Sequence, residues 1–479
     1  MNNVRPQMKM LTEDQKQEIH HYTLKLLATT GVRVDSPSAV EMLKKRVGSS
    51  NVEGRTVRIP AELVEWAIKA APRRIQIYDR RGNSQFPIGG EEDRTRFGIG
   101  VTALFYQEPE TDTPVEFQRK HMQDMVRVGN KLPLYDMVST IGICRDVPDY
   151  LTDLIGSLEH FANGTKPMVL LCSDEHKFDD VMRMFETLHG RDLGDKPFII
   201  PYFNPVSPLV MNEGTVDKMK IAIERGLPVI ISNYSLSGAT TPITPAGTIA
   251  VLMAELLAGL VIGQLYKEGA PMFLGMLPVY LDMKTLLNFY DPQSILDSLA
   301  CAEMMSHYGI PHCGTSGSGT GWGMDLLAAE TYWMNTLMMT LTMKGGIAPF
   351  VGDTLGSKAV SPLTFIYCHE LIDQALRFSS GFQLDEANVG LDEIHAVGPG
   401  KGFVSAPTTL KRYKDGYYVS RIFPRWSMEK WIEAGKPHAQ KWLKDYSIEF
   451  LKDLPAPEDH EELMRKGDEF IAEWEKKNE

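Results

Sequence analysis

A closed (β/α)₈ barrel, a TIM-type α/β fold, is the class this chain predicts. Three observations carry it: eight short apolar runs, segments of helical length between most of them, and room for a barrel of about 250 residues within 479. The runs are RFGIGV (96–101), YDMVSTIGI (135–143), PMVLLC (167–172), PFIIPYF (197–203), PVIISNY (228–234), PMFLGML (271–277), PHCGTSG (311–317) and APFVGDT (348–354). Pro, Gly or Asn bounds them, and several open with Pro, which suits the first position of a strand because its missing N–H need not enter the ladder. A doubly wound open sheet gives a similar periodicity and stands as the alternative.

Residues 1–90 read as a mixed α/β extension. A helix from Thr12 to Thr30 starts at the N-cap signal TEDQ, NVEGRTVRIP reads as a short strand, and AELVEWAIKAA reads as a helix after Pro60. The barrel is expected over 91–380. Its helices include LTDLIGSLEHFANG, TVDKMKIAIERG, AGTIAVLMAELLAGLVIGQLYKEG, PQSILDSLACAEMMSHYG and DLLAAETYWMNTLMMTLTMKGG, each ending in or near Gly. Ile249–Leu265 is the most apolar stretch, but it is short for a bilayer crossing of about 20 residues and is interrupted by Glu255 and Gln264. It reads as a buried helix, and no membrane partner is expected. Residues 381–479 are irregular and then charged and helical, the final amphipathic helix presenting a solvated face.

Lys and Arg number 50 against 62 Asp and Glu, a net charge of −12. No basic tract is present to neutralise a run of phosphates, so nucleic acid is not an expected partner. Cys144, Cys172, Cys301, Cys313 and Cys368 form no CxxC pair and are odd in number, the usage of a reducing cytosol, and the polar amino terminus lacks signal-peptide features. A cytoplasmic location is therefore expected. No His/Cys/Asp/Glu cluster has ligand spacing, so no metal is expected; His369-Glu370 followed by Asp373 is HExxD rather than the zinc-binding HExxH.

In a barrel, the site forms at the carboxyl ends of the strands. Those ends are rich in aromatics: Phe105, Tyr106, Phe203, Tyr234, Tyr280, Trp322 and Tyr332. Such rings can hold a quaternary ammonium by cation–π attraction, or they can be ordinary lining and packing residues. The loop GTSGSGTGWGMD (314–325), with Gly319, Gly321 and Gly323, permits three readings. It could bind phosphate through its amides, although it matches neither GxGxxG nor GxxxxGK[ST]; it could be a packing loop; or it could make room for a bulky cation beside Trp322. Glu255 and Glu330 interrupt apolar helices, so each is exposed, paired or functional.

NPVSPL (204–209), GLPVIISNYSLSGATTPITPAGTIAVLMAELLAGLVIGQL and GAPMFLGMLPVYLDMKT resemble the trimethylamine methyltransferase family. The resemblance runs from TLKLLATTGVRV through VRIPAELVEWAIKAAP to PRWSMEKW (424–431). Archaeal trimethylamine enzymes of this family carry pyrrolysine after the seventh strand, ahead of a DxxxxE pattern matched here by Asp325 and Glu330. This chain has GTGWGMD there and no pyrrolysine, so it resembles the branch that acts on quaternary amines: glycine betaine first, with proline betaine and carnitine as alternatives.

The resemblance implies transfer of a methyl group to the Co(I) of a corrinoid. A quaternary nitrogen is already a leaving group, so no residue is assigned as acid or base. A betaine carboxylate wants N–H or O–H donors, and Asn204, Ser207, Asn233, His312, Thr315 and Ser316 are the candidates. Corrinoid carriers use DxHxxG; the nearest string, DEHKFD (174–179), has Asp179 in place of Gly, so the corrinoid (cobalamin) belongs to a separate cognate protein and is not bound tightly by this chain. A homo-oligomer is compatible with the apolar helices. Two further hypotheses are a barrel enzyme acting on a phosphorylated metabolite and a betaine-binding sensor without catalysis.

Overall fold

A computed structural model describes residues 3–90, 93–315 and 319–478. Eight parallel strands close on one another: β1 (Arg96–Ile99), β2 (Tyr135–Ser139), β3 (Met168–Leu170), β4 (Ile199–Phe203), β5 (Val229–Ser237), β6 (Met272–Leu281), β7 (His312–Thr315) and β8 (Ile347–Val351). Each neighbour in sequence is a neighbour in space, and β8 pairs with β1 to complete the ring, Ala348 lying opposite Phe97. The open-sheet alternative is thereby set aside. The longest pairing joins β5 to β6, in register from Val229 opposite Met272 to Ser237 opposite Tyr280.

A helix follows each strand: α1 (Arg119–Lys131), α2 (Thr152–Asn163), α3 (Phe178–His189), α4 (Glu213–Glu224), α5 (Pro245–Tyr266), α6 (Pro292–Tyr308), α7 (Leu326–Thr342) and α8 (Pro362–Ser380). Their starts are chemically marked. Asp291 caps α6 by accepting from the Ser294 amide, and Asp325 caps α7 by accepting from the Ala328 amide at 2.9 Å.

The inside of the barrel is a packed core, filled by Met137, Val169, Ile200, Tyr202, Ile230, Phe273, Cys313, Ile347 and Phe350. Ile75, Ile77, Phe86 and Ile88 join the same cluster. They come from a hairpin, Ile75–Tyr78 and Ser84–Ile88, whose Gly89 amide bonds the Gly345 carbonyl just ahead of β8. The amino-terminal extension therefore supplies the floor of the barrel and leaves the carboxyl end as the mouth.

Helix α5 is the one helix among the described residues apolar and long enough to cross a membrane, and most of it is buried inside this fold. It is apolar all round because it is covered on two sides. Its inner face packs on β5 and β6, and the helices Glu13–Thr29 and Ala61–Ala70 cover it from outside. Gln264 near its end is satisfied by the Ala270 carbonyl and the Gly269 amide, both at 2.9 Å.

At the other end of the chain, the helix Ala439–Leu451 packs on α8 and the helix His460–Asn478 packs on α2 and α3. Asp459 pairs with both terminal nitrogens of Arg80, at 2.7 and 2.8 Å, while the Arg80 Nε donates to the Gly164 carbonyl. This half-buried fork ties the floor hairpin to the carboxyl-terminal helix.

Candidate functional site

A cavity of about 340 Å³ opens at the carboxyl end of the barrel, where the fold class places chemistry. Its floor is built from inward-facing strand residues: Tyr202 on β4, Leu277 on β6 and Phe350 on β8. The Tyr202 and Phe350 rings meet edge to face, centroids 4.9 Å apart and planes at 89°, and the Tyr202 hydroxyl donates to Ser232 Oγ at 2.8 Å. Both rings are thereby held rigidly.

The walls come from the loops. Asn204, just past β4, donates its amide to the Ser232 carbonyl at 3.0 Å, and its own carbonyl accepts from Thr215 Oγ1 at 2.6 Å. Tyr234 stands on β5, and its hydroxyl accepts from the Asn288 amide at 2.6 Å. Asn288 and Tyr290 belong to the excursion after β6, which folds back so that Asn288 lies opposite Leu281. On the far side Val101, Thr102, Gly356 and Ser357 complete the lining. Thr102 and Ser357 hold φ of 57° and 64°, a left-handed conformation uncommon for non-glycine residues, and one that is enriched where geometry serves a site.

Among the described residues of this lining, four are aromatic, the polar ones are amides and hydroxyls, and none carries a formal charge. Burial raises the Tyr202 hydroxyl well above its ordinary pKa, and burial also raises that of Tyr234. Both are neutral hydrogen-bonding groups across the physiological range. The surface is a π-rich pocket that can surround a cation without offering it a nucleophile or an acid.

Of the residues expected from sequence at the mouth, Asn204 and Tyr234 line this cavity. Those others whose side chains are described fall elsewhere, mostly for reasons that follow from strand geometry. Phe203, next to Tyr202, points outward and packs edge to face on Phe178 of α3, centroids 5.5 Å apart. Asn233 likewise points out of the barrel, because successive side chains on a strand alternate faces. It joins Ser207 on Glu255 of α5: the carboxylate accepts from Ser207 Oγ at 2.8 Å, the Leu209 amide at 2.7 Å and Asn233 Nδ2 at 3.0 Å. Glu255 is thus a paired carboxylate that clamps the loop after β4, its pKa raised by burial and held back by these bonds.

His312 occupies the amino end of β7, buried beside Gly346 at the floor, and burial lowers its pKa to about 4. It is too far down the barrel to meet a ligand at the mouth. Tyr106 stacks on His121, centroids 4.1 Å apart, within a small sheet in which Phe105–Gln107 pairs with Ala359–Val360; Phe105 is on the same strand and neither lines the cavity. Tyr332 is buried and donates to the Asp353 carbonyl.

The seventh loop also departs from expectation. Trp322 is 75% exposed and does not line the cavity; its carbonyl accepts from Gln107 Nε2 and its amide donates to Asp325 Oδ2. The three glycines answer close packing: a Cβ at Gly319 would meet the Tyr332 ring at 2.7 Å, and one at Gly321 would meet Asp325 Oδ1 at 2.2 Å. Gly323, at φ 137°, approaches Gln107. The N-terminus of α7, where a phosphate would be expected to bind, already carries the Asp325 carboxylate. Glu330 is exposed on α7. Only the backbone of Thr315 is described, and Ser316 lies outside the described residues. Among the described residues no group of three or more His, Cys, Asp or Glu converges to hold a metal.

Tyr202, Asn288, Tyr290 and Phe350 escaped the sequence reading. Tyr202 had a usable signal, since it is two residues before Asn204 and so shares its face.

The sequence comparisons converge on one family, and the structural comparison agrees on the fold. The chain is 26% identical to glycine betaine methyltransferase of Desulfitobacterium hafniense, over 99% of this chain and 98% of that one. It is 24% identical to a trimethylamine methyltransferase of Methanosarcina barkeri, over 90% of this chain and 88% of the relative. In fold it is similar to the crystal structure of Methanosarcina barkeri monomethylamine methyltransferase, with a TM-score of 0.54 at 9% identity, covering 94% of this chain and 89% of that one. The family trimethylamine methyltransferase (MTTB) matches residues 1–478, essentially end to end. With its closed barrel and π-lined mouth, the chain is an enzyme, a methyltransferase, and belongs to the trimethylamine methyltransferase family.

Proposed function

We propose that this enzyme takes a methyl group from a quaternary amine, glycine betaine being the leading donor, and passes it to the Co(I) corrinoid of a separate protein. The observation that carries this reading is the cavity itself: three tyrosines and a phenylalanine at the barrel mouth, with no formally charged side chain in its described lining.

The chemistry requires little else. A trimethylammonium group is attracted to ring faces by about 0.5–2 kcal/mol per favourable contact, more when desolvated. Tyr202, Tyr234, Tyr290 and Phe350 would surround it, while Asn288, whose amide gives one N–H to Tyr234 and keeps a second, offers a donor to a carboxylate. A partner's reduced corrinoid would supply the nucleophile for the methyl group; the C–N bonding pair would stay on nitrogen and the amine would depart neutral. No proton moves, which agrees with a lining that presents no acid or base. The residues act by orienting one N–CH₃ bond toward the opening and excluding water.

The mouth must then be open to a large partner. Ile243, Met283, Leu286 and Leu287, on the loops after β5 and β6, are exposed apolar residues at that end and suit a transient contact with a corrinoid carrier. Five free cysteines support the expectation of a reducing compartment.

Methyl transfer from glycine betaine, proline betaine, carnitine and trimethylamine to a reduced corrinoid protein, or to free cob(I)alamin, tests the proposal by absorbance. Methylation from one betaine and none from trimethylamine is the expected result. Methylation from trimethylamine alone would overturn it.

A further inference from the structure

We infer that Glu255 is a positioning residue for the transfer reaction: it does not line the cavity, and it sets the geometry of the cavity wall by fastening the loop after β4 to strand β5. The inference rests on the reading of the cavity as the amine site and extends it to a residue that the transfer step itself does not use.

The first observation is the kind of group buried. Glu255 is the one charged residue among the 22 of α5, it is fully buried, and the three groups that donate to it are all neutral. A buried carboxylate without a cation beside it is costly, and a helix that only had to pack would carry an apolar residue there, as it does at Leu252 and Leu256. What a carboxylate adds is a pair of oxygens that accept from several directions at once.

The second observation is where the donors come from. Ser207 and Leu209 belong to the loop after β4, and Asn233 belongs to β5. Each side of the clamp carries a lining residue of the cavity. Asn233 directly precedes Tyr234, so holding Asn233 outward on Glu255 holds Tyr234 inward. Ser207 lies three residues past Asn204, whose side-chain amide donates to the Ser232 carbonyl at 3.0 Å and to the Tyr202 hydroxyl at 3.5 Å. Between them, the Val206 backbone pairs with both Tyr234 and Val210. One carboxylate thereby fixes the placement of Tyr234 relative to Tyr202, two of the four rings that line the cavity.

The third observation is a second anchor on the outer side of the same loop. Val210–Met211 pairs with the strand Val32–Val34, and the Arg33 amide donates to the Leu209 carbonyl at 2.9 Å. That anchor keeps the loop on the fold, whereas Glu255 sets how it meets β5. Weakening the inner tie therefore leaves a folded enzyme with a displaced wall, and a displacement of about 1 Å can cost on the order of 100-fold in rate.

Glu255→Gln tests the inference, because glutamine keeps the volume but has one acceptor oxygen and turns an N–H₂ group toward the remaining donors. The readout is kcat/KM for methyl transfer to free cob(I)alamin from whichever of glycine betaine, proline betaine and carnitine the wild type uses. It is measured in two backgrounds, with the fold checked by circular dichroism: wild type, and Asn204→Ala/Tyr234→Leu, which lacks the lining residues that Glu255 positions. The expected fall is at least about fivefold in wild type and less than about twofold in the double variant, because a residue that acts through others loses its effect when they are gone. An unchanged kcat/KM in folded Glu255→Gln, or the same fold-loss in both backgrounds, would overturn the role. Should Glu255→Gln misfold, Ser207→Ala decides, since it takes one donor from the clamp and leaves the carboxylate in place. A fall of at least about twofold, confined to the wild-type background, is then expected, and no fall would overturn the role. A wild type that demethylates no quaternary amine would instead refute the reading of the cavity, and this inference with it.

Discussion

Replacing Tyr234 by leucine separates the π face of the cavity wall from its bulk. Tyr234 is 36% exposed and spans the rim rather than the core, so its truncation leaves folding largely intact. Leucine keeps apolar volume but offers no ring quadrupole, and the loss is the cation–π contribution of one wall, about 0.5–2 kcal/mol, or roughly a 2- to 30-fold rise in Kd. Tyr234→Phe keeps the ring and removes only the hydroxyl that accepts from Asn288, so it is expected to stay within about threefold of wild type. The assay is titration calorimetry with glycine betaine and with 3,3-dimethylbutyrate, the carbon isostere that has the same shape and no positive charge. Wild type should prefer the betaine, and Tyr234→Leu should narrow that preference. Equal binding of betaine and isostere by wild type, or equal affinity in the Leu and Phe variants, would refute a cation held by this ring.

Trp322→Ala is expected to leave betaine affinity within about twofold by the same calorimetry, because the ring is exposed and off the cavity; a loss above fivefold would bring it back into the site. Glu255→Ala should destabilise the fold by about 3 kcal/mol in urea unfolding, since it takes the acceptor from the Ser207 hydroxyl and the Leu209 amide and leaves Asn233 Nδ2 only the Leu252 carbonyl; a change below about 1 kcal/mol would show that the clamp is dispensable. Asp297, buried on α6 beside Asp291, has its pKa raised by burial from 3.8 to about 7. The native state therefore holds a proton that the unfolded chain releases, and stability falls as pH rises from about 4 through about 7. Asp297→Asn removes that dependence, so its advantage over wild type should be a few kcal/mol larger at pH 8 than at pH 4, and an equal difference at both would contradict the shift.

The barrel was legible because its strands are buried on both faces, and such strands announce themselves as continuous apolar runs. The same property hid the site. In IIPYF every residue of β4 is buried, so no alternation of polar and apolar residues reveals that Tyr202 faces the cavity while Phe203 faces α3. Asn233 and Tyr234 pose the same problem on β5, and only their contacts separate the clamp on Glu255 from the wall of the cavity. Asn288 and Tyr290 arrive from a loop that folds back on β6, a long-range placement that local spacing does not encode. The floor hairpin is a similar case: its strands read as part of an extension, yet their apolar side chains complete the barrel interior. Trp322 misled in the opposite direction, since adjacency to the seventh strand placed it near the mouth without turning its ring inward.

The most direct measurement is the fate of an isotopic label. Glycine betaine carrying one N-trideuteromethyl group per nitrogen is incubated with the enzyme and a reduced corrinoid protein, and both products are analysed by mass spectrometry. The proposed reaction predicts deuteromethyl on cobalt in about one-third of turnovers, with one equivalent of dimethylglycine for each methyl group transferred. A corrinoid that remains unmethylated while dimethylglycine accumulates, or label that never leaves the amine, would contradict it.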